Sequence, residues 1–156
     1  MYKLKQTILI LLSIFCLYAS GVRADVSLQD LDGNAISLKS LKGKWVFINY
    51  WASWCNPCID EISQLNRLYE NNKTRHVAVY AVNYDVISLS KQKRLIKQFH
   101  IRYPSLKSRS LRELHLGDIT VVPVTFVFNP RGELATTLYG GQTLESLTEV
   151  MDDSSS

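Results

Sequence analysis

Cysteine is scarce in this chain: three of its 156 residues, at positions 16, 55 and 58. There is no second Cys-x-x-Cys, and His76, His100 and His115 stand at no ligand-like spacing, so a four-ligand zinc site has too few donors. Each of those histidines reads as a surface or capping residue. Glycine and proline are also few, seven and four residues, and nothing in the composition points to collagen, coiled coil or wholesale disorder. Internal repeats and interdomain linkers are absent, and 156 residues suit one domain with a sizeable core. The longest apolar run, residues 8–18 interrupted only by Ser13, falls short of the ~20 residues a membrane span needs.

That run sits in a telling context. Lys3 and Lys5 precede it, Ala19, Ser20 and Gly21 follow, and Val22-Arg23-Ala24 has the small-x-small pattern of a signal peptidase site. Residues 1–24 therefore read as a secretory signal peptide cleaved after Ala24, with an uncleaved membrane anchor as the rival reading. Ile14 and Phe15, just before Cys16, are too bulky for a lipid-attachment signal. Cleavage removes Lys3, Lys5 and Arg23 and no acid, so the formal charge falls from +4 to +1 and support for nucleic-acid binding goes with it. Cys16 leaves as well. The remaining pair, Cys55 and Cys58, would work in an oxidising, extracytoplasmic compartment with no other cysteine to bond to.

Along the rest of the chain, residues 26–28 and 36–38 alternate apolar and polar around Asp32-Gly33-Asn34, a hairpin signal. Residues 45–51 and 77–82 read as buried strands, and residues 57–70 as a helix with Ile59, Ile62, Leu65 and Leu68 on one face. Pro57 is tolerated near its start because that N–H has no intrahelical partner. An amphipathic helix is expected over 88–100, with Leu95, Ile96 and Phe99 inward, then a loop around Pro104 and a short helical turn at 111–116. Strands at 124–129 and 134–139 flank the turn sequence Asn129-Pro130-Arg131-Gly132-Glu133, and a short helix at 144–150 precedes a frayed tail, 152–156. The order predicts an α/β domain over residues 25–151, a mixed sheet with helices on both faces.

Cys55 and Cys58 lie where the first buried strand meets its helix, a βαβ setting for Cys-x-x-Cys. The orphan N–H groups and the dipole at a helix N-terminus stabilise a thiolate, the reactive form of cysteine. One turn of separation lets the two sulfurs meet. Cys55, at the exposed end, would attack a target disulfide; Cys58, shielded, would resolve the mixed disulfide, while Trp54 covers one side of the sulfur. A purely structural disulfide gains little from so short a loop. The flanking pattern, rather than the Cys-x-x-Cys spacing alone, thus favours a redox dithiol over a structural or metal-binding pair.

The stretches "VSLQDLDGNAISLKSLKGKWVFINYWASWCNPC" and "VVPVTFVFNPRGEL" resemble the thioredoxin-like proteins, and within them the TlpA/ResA-like extracytoplasmic thiol–disulfide oxidoreductases. The resemblance spans nearly the whole chain after residue 24. It implies a thioredoxin-like fold with an N-terminal β-hairpin, Cys55 as nucleophile and Cys58 as resolving cysteine. It also implies a cis-proline at Pro123 that presents the backbone of Val122 to an extended substrate, as an added strand would pair. An edge-strand proline is the plainer reading of Pro123. Glu61 matches an acid thought to tune the resolving thiol and move its proton; alternatively it is a first-turn glutamate favoured by the helix dipole. Asn49 stands where ordinary thioredoxin has a buried aspartate, so an acid/base role there must pass to Glu61 or to water. Val124 offers no hydroxyl where the family more often has threonine after the proline.

The resemblance implies a periplasmic reductase of specific protein disulfides, those of apocytochrome c haem-binding cysteines or of a copper-handling protein. It would be supplied by a membrane thiol carrier, act as a monomer and need no cofactor or metal. A disulfide oxidase or isomerase partner, and a non-catalytic metal chaperone of thioredoxin fold, are the alternatives. Residues 91–112 hold eight Lys or Arg and no acid; this run is either a solvated face or a docking surface for an acidic or membrane-surface partner.

Overall fold

The computed structural model describes residues 27–71 and 76–153. The expected signal peptide, Cys16 and the last three residues of the expected tail lie outside them. A two-stranded antiparallel hairpin, β1 (Ser27–Gln29) and β2 (Ala35–Ser37), opens the described chain. A five-stranded mixed sheet follows, formed by β3 (Trp45–Trp51), β4 (Val77–Asn83), β5 (Ser105–Leu106), β6 (Val124–Phe128) and β7 (Leu134–Tyr139) in the spatial order β5-β4-β3-β6-β7. The pairs β3/β4 and β4/β5 are parallel, and β3/β6 and β6/β7 antiparallel. The α-helices are α1 (Asn56–Asn71), α2 (Leu89–Gln98) and α3 (Leu144–Asp153), with 3-10 turns at Leu38–Leu41 and Ser108–Leu114.

Side chains on a strand alternate between faces, and β3 shows the consequence. Phe47, Asn49 and Trp51 point to one side, Val46, Ile48 and Tyr50 to the other, and all six are buried. The first side packs on Ile62, Leu65 and Leu68 of α1, Leu147 of α3, and Leu95, Ile96 and Phe99 at the end of α2. The second is covered by Leu28, Ile36 and the two 3-10 turns through Leu41 and Leu111. Helices were expected on both faces; instead all three α-helices share one. The crossovers β3-α1-β4 and β4-α2-β5 step the same way along the sheet, and right-handed connections stepping the same way place their helices on the same side. The return from β5 to β6 crosses the other side, where it carries only the second 3-10 turn.

β5 takes the place of the expected loop around Pro104. Two residues are too few for any alternation signal; the strand is defined by its neighbours. Pro104 O accepts from Ala81 N–H, while Ser105 O accepts from Leu31 N–H and Gln29 O from Lys107 N–H, so the hairpin region shields this sheet edge. The terminal helix runs to Asp153, three residues past its expected end, so Asp152 and Asp153 are helical. The basic stretch is distributed over α2, β5 and the second 3-10 turn. Part of it is bound within the chain, Lys93 to Asp32, Arg102 to Glu70 and Lys107 to Gln29 Oε1. All three histidines have positive φ, 50–54°, where short polar side chains recur at the ends of elements. No helix among the described residues is long and apolar enough to cross a membrane.

Candidate active site

The carboxyl end of β3 delivers the chain into α1, and Cys55 is the residue before the first helical one. Its carbonyl accepts from Ile59 N–H, while its sulfur receives the N–H of Cys58 at 3.3 Å, as an N-cap side chain receives an N–H of the first turn. A thiolate on Cys55 would therefore be held by an orphan helix amide. Cys55 and Cys58 are joined in a disulfide with Cα atoms 5.3 Å apart. Cys55 keeps 5% of its surface accessible and Cys58 none, which fits an outer attacking sulfur and an inner resolving one.

The Val122–Pro123 peptide is cis, and the carbonyl oxygen of Val122 lies 3.6 Å from Cys55 Sγ. Pro123 O accepts from Gly140 N–H and Val124 pairs with both Tyr50 and Tyr139, so the segment is tied to β3 on one side and β7 on the other. Cys55, Cys58, Val122 and Pro123, separated by more than sixty residues in sequence, thus meet at one end of the sheet. Trp54 is exposed beside them, but its indole N–H is bonded to Asp85 Oδ1 at 3.0 Å and its ring meets Tyr84 edge-on. The expected cover over the sulfur is thus a ring drawn towards the loop after β4. An exposed rim surrounds this end: Trp54, Tyr84, Val86, Val121 and Tyr139 all present large apolar surface to solvent.

Glu61 follows Cys58 by three residues and so shares its face of α1, directed into the core. It is only 2% exposed and lies beyond the first turn of α1, which holds no acidic residue. Asn49 Nδ2 donates to Glu61 Oε1 at 2.8 Å and to Thr125 Oγ1 at 3.0 Å; Gln142 N–H donates to Glu61 Oε2 at 3.0 Å. Burial pushes the Glu61 carboxyl up to about 7, against the lowering effect of the two bonds from Gln142 and Asn49. Gly141 permits the approach of the Gln142 loop: a Cβ there would stand 3.3 Å from Pro57 O. Asn49 is thus no base, yet it holds the group that could be one. The hydroxyl missing at Val124 occurs one position later, at Thr125, turned into the core rather than towards a substrate.

Sequence reasoning missed Thr125, Gln142 and Asp85. Thr125 is legible only once it is paired across the sheet with Asn49, and Gln142 acts on Glu61 through its backbone, which no side-chain pattern reveals. Replacing Asn49 by leucine removes a hydrogen bond that favours the ionised carboxyl, so the Glu61 carboxyl is expected to titrate above its wild-type value, by roughly one pH unit for the ~1.5 kcal/mol of a bond to a charged group. NMR of ¹³C-labelled glutamate carboxyls across pH 5–9 would show it, and an unmoved titration would mean that Asn49 does not support the charge.

The AhpC/TSA family model matches residues 21–137. Thiol-disulfide oxidoreductase ResA of a Bacillus cereus strain is 32% identical over 118 residues, 76% of this chain and 68% of that protein. Thiol-disulfide oxidoreductase ResA of Bacillus subtilis (strain 168) is 30% identical over 125 residues, 80% of this chain and 69% of that one. Among solved structures, StoA from Bacillus subtilis superposes with a TM-score of 0.65 at 27% identity, covering 83% of this chain and 98% of its own. With a thioredoxin-like sheet, a Cys-x-x-Cys disulfide at a helix N-terminus and these relatives, the chain belongs to the AhpC/TSA family of thioredoxin-like proteins, as a thiol–disulfide oxidoreductase of the ResA type.

Proposed function

We propose that this oxidoreductase is an extracytoplasmic reductase of protein disulfides. The observation that carries the reading is the outer sulfur of Cys55 standing 3.6 Å from the Val122 carbonyl beside a cis-proline. A disulfide-bearing segment pairing with that backbone would lie across the sulfur. The exposed apolar rim suits a polypeptide better than a small molecule. In the reduced protein the Cys55 thiolate attacks one substrate sulfur; the substrate S–S bond breaks, and its departing thiolate takes up a proton. Cys58 then gives its proton to Glu61 and attacks Cys55 Sγ, releasing the second substrate thiolate. The protein is left as the disulfide seen in the structure, oxidised by two electrons as the substrate is reduced by two.

Glu61 is suited to that proton. A buried carboxylate beside the resolving thiol keeps Cys58 protonated until it is needed, and a carboxyl titrating at about 7 is matched to accept a proton near neutral pH. A cleft of about 420 Å³ lined by Pro57, Glu61 and Gln142 lies beside this part of α1. The expected leader supports a location outside the cytoplasm, anchored if it is uncleaved. The resemblance supports a membrane thiol carrier as electron donor, and apocytochrome c or copper-handling protein thiols as substrates, with the protein acting as a monomer.

Direction is tested by titrating the dithiol in redox buffers. A reductase is expected to equilibrate well below the about −120 mV of a strong disulfide oxidant, nearer the roughly −270 mV of thioredoxin. A midpoint at the oxidant end would replace this reading with that of an oxidase partner. Stoichiometric copper or zinc in freshly purified, reduced protein would instead favour a metal chaperone.

A further inference from the structure

A second cleft, of about 510 Å³, opens on the carboxyl ends of β3 and β4, with Tyr50, Asn83, Tyr84, Arg112, His115 and Asp118 in its walls. Its link to the dithiol runs through Tyr84 of the exposed rim. Tyr84 lines the cleft, and its ring meets the Trp54 ring edge-on at a centroid distance of 6.3 Å. The loop that carries His115 and Asp118 continues directly into Val121, Val122 and the cis-proline. A polypeptide held on Val122 with its cysteine at Cys55 would run its neighbouring residues over this opening.

Its chemistry is that of a donor set. Asn83 is more than nine-tenths buried, and its Oδ1 accepts from Asp85 N–H at 2.9 Å, which fixes the orientation of the amide. Its Nδ2 is therefore the remaining atom, and among the described residues it has no hydrogen-bond partner. A buried donor left unmatched costs about 1–3 kcal/mol, so a group that supplies an oxygen acceptor gains from reaching it. Burial pushes the Tyr50 phenol up to about 12, so its hydroxyl remains a protonated donor at neutral pH. Arg112 is exposed and, among the described residues, no carboxylate pairs with it, unlike Lys93 and Arg102 of the same basic stretch. Asp118 is the opposing charge, exposed, where it can accept from a peptide N–H.

We propose that this cleft is a specificity subsite that receives an acidic side chain flanking the disulfide of the polypeptide substrate, its carboxylate meeting the exposed Arg112 guanidinium, with the unmatched Asn83 amide behind it in the cleft wall. The assignment rests on the protein-disulfide reductase reading and gives that substrate a chemical class.

The test uses the reduced protein and two cyclic disulfide peptides, identical except for Glu or Lys at the positions flanking the attacked cysteine, with bis(2-hydroxyethyl) disulfide as a small uncharged reference. The Glu peptide is expected to be reduced about tenfold faster in kcat/KM than the Lys peptide, the worth of one charge-assisted bond. Arg112→Glu should abolish or invert that ratio. Asn83→Asp, which keeps an acceptor for Asp85 N–H and turns the amide donor into an ionisable acceptor, should reduce it. Rates for the two peptides within twofold, or a preference that survives both variants, would overturn the subsite. Failure of the wild type to reduce even the small disulfide would instead overturn the reductase reading beneath it.

Discussion

Cys55→Ala is expected to lower disulfide exchange by at least about three orders of magnitude, because the accessible sulfur of the Cys55–Cys58 pair is gone. Cys58→Ala should leave the attack intact and stop the reaction at the mixed disulfide. The asymmetry follows from burial and from the helix terminus. Cys55 has the only open surface of the pair and the N–H of Cys58 aimed at its sulfur, so in the reduced protein it is the one expected to carry the thiolate. Cys58 is wholly enclosed and can reach no partner except Cys55. One equivalent of substrate thiol should therefore be released per Cys58→Ala molecule, followed by a stable adduct. Mass spectrometry of that adduct would show the bridge at Cys55 and, with a cell extract, identify the trapped chain. An adduct formed by Cys55→Ala but not by Cys58→Ala would reverse the two roles.

Much of the framework was legible because long-range patterns are written locally in it. The buried run 45–51 and the strand 134–139 coincide with β3 and β7 to the residue, and the helix expected at 57–70 is α1 with one residue added at either end. These segments have strong periodicity or strong punctuation. The failures have the opposite character. β5 is two residues long and exists because Ala81, Leu31 and Lys107 bond to its surroundings. The 3-10 turn expected at 111–116 begins at Ser108, since its limits depend on where it lands on the second face of the sheet. Which face the helices cover is not written in their own sequences, because handedness belongs to the connection, not to the helix.

The site divides in the same way. Cys55, Cys58, Pro123 and Glu61 are named by motif, and the structure gathers the first three within reach of one another and turns the fourth inward. What surrounds them is not written in motifs. Asn49 could be seen as a lost acid, but its use as a clamp on Glu61 requires the cross-strand register with Thr125. Trp54 could be seen beside the sulfur, but its bond to Asp85 depends on how the loop after β4 turns. Asn83, the last residue of β4, belongs to no motif, and only its burial with an unmatched amide distinguishes it.

Glu61 supplies the second large effect, and it is one of stability as well as rate. In the fold its carboxyl titrates at about 7, against an ordinary 4.5, because burial disfavours the charge. Below pH 4.5 the folded and unfolded chains both hold this proton. Between 4.5 and 7 the folded chain keeps it and the unfolded chain releases it, so stability falls as pH rises through this window and levels off above it. A difference of this size corresponds to roughly 3 kcal/mol of lost stability. Glu61→Gln cannot ionise and should remove that decline, so urea denaturation of the oxidised protein at pH 5 and pH 8 should show a smaller drop in the variant. The comparison of slopes is the informative one, because glutamine can also set a donor against the Gln142 N–H and lose a bond at every pH. Equal slopes would mean that Glu61 is ionised in the fold throughout. In the reduced protein the same substitution should slow resolution of the mixed disulfide by about 10²-fold while sparing the initial attack by Cys55, the pattern expected when a general base serves only the second step. A variant that loses the pH-dependent decline in stability but resolves at the wild-type rate would leave Glu61 a buried structural acid and pass the Cys58 proton to water.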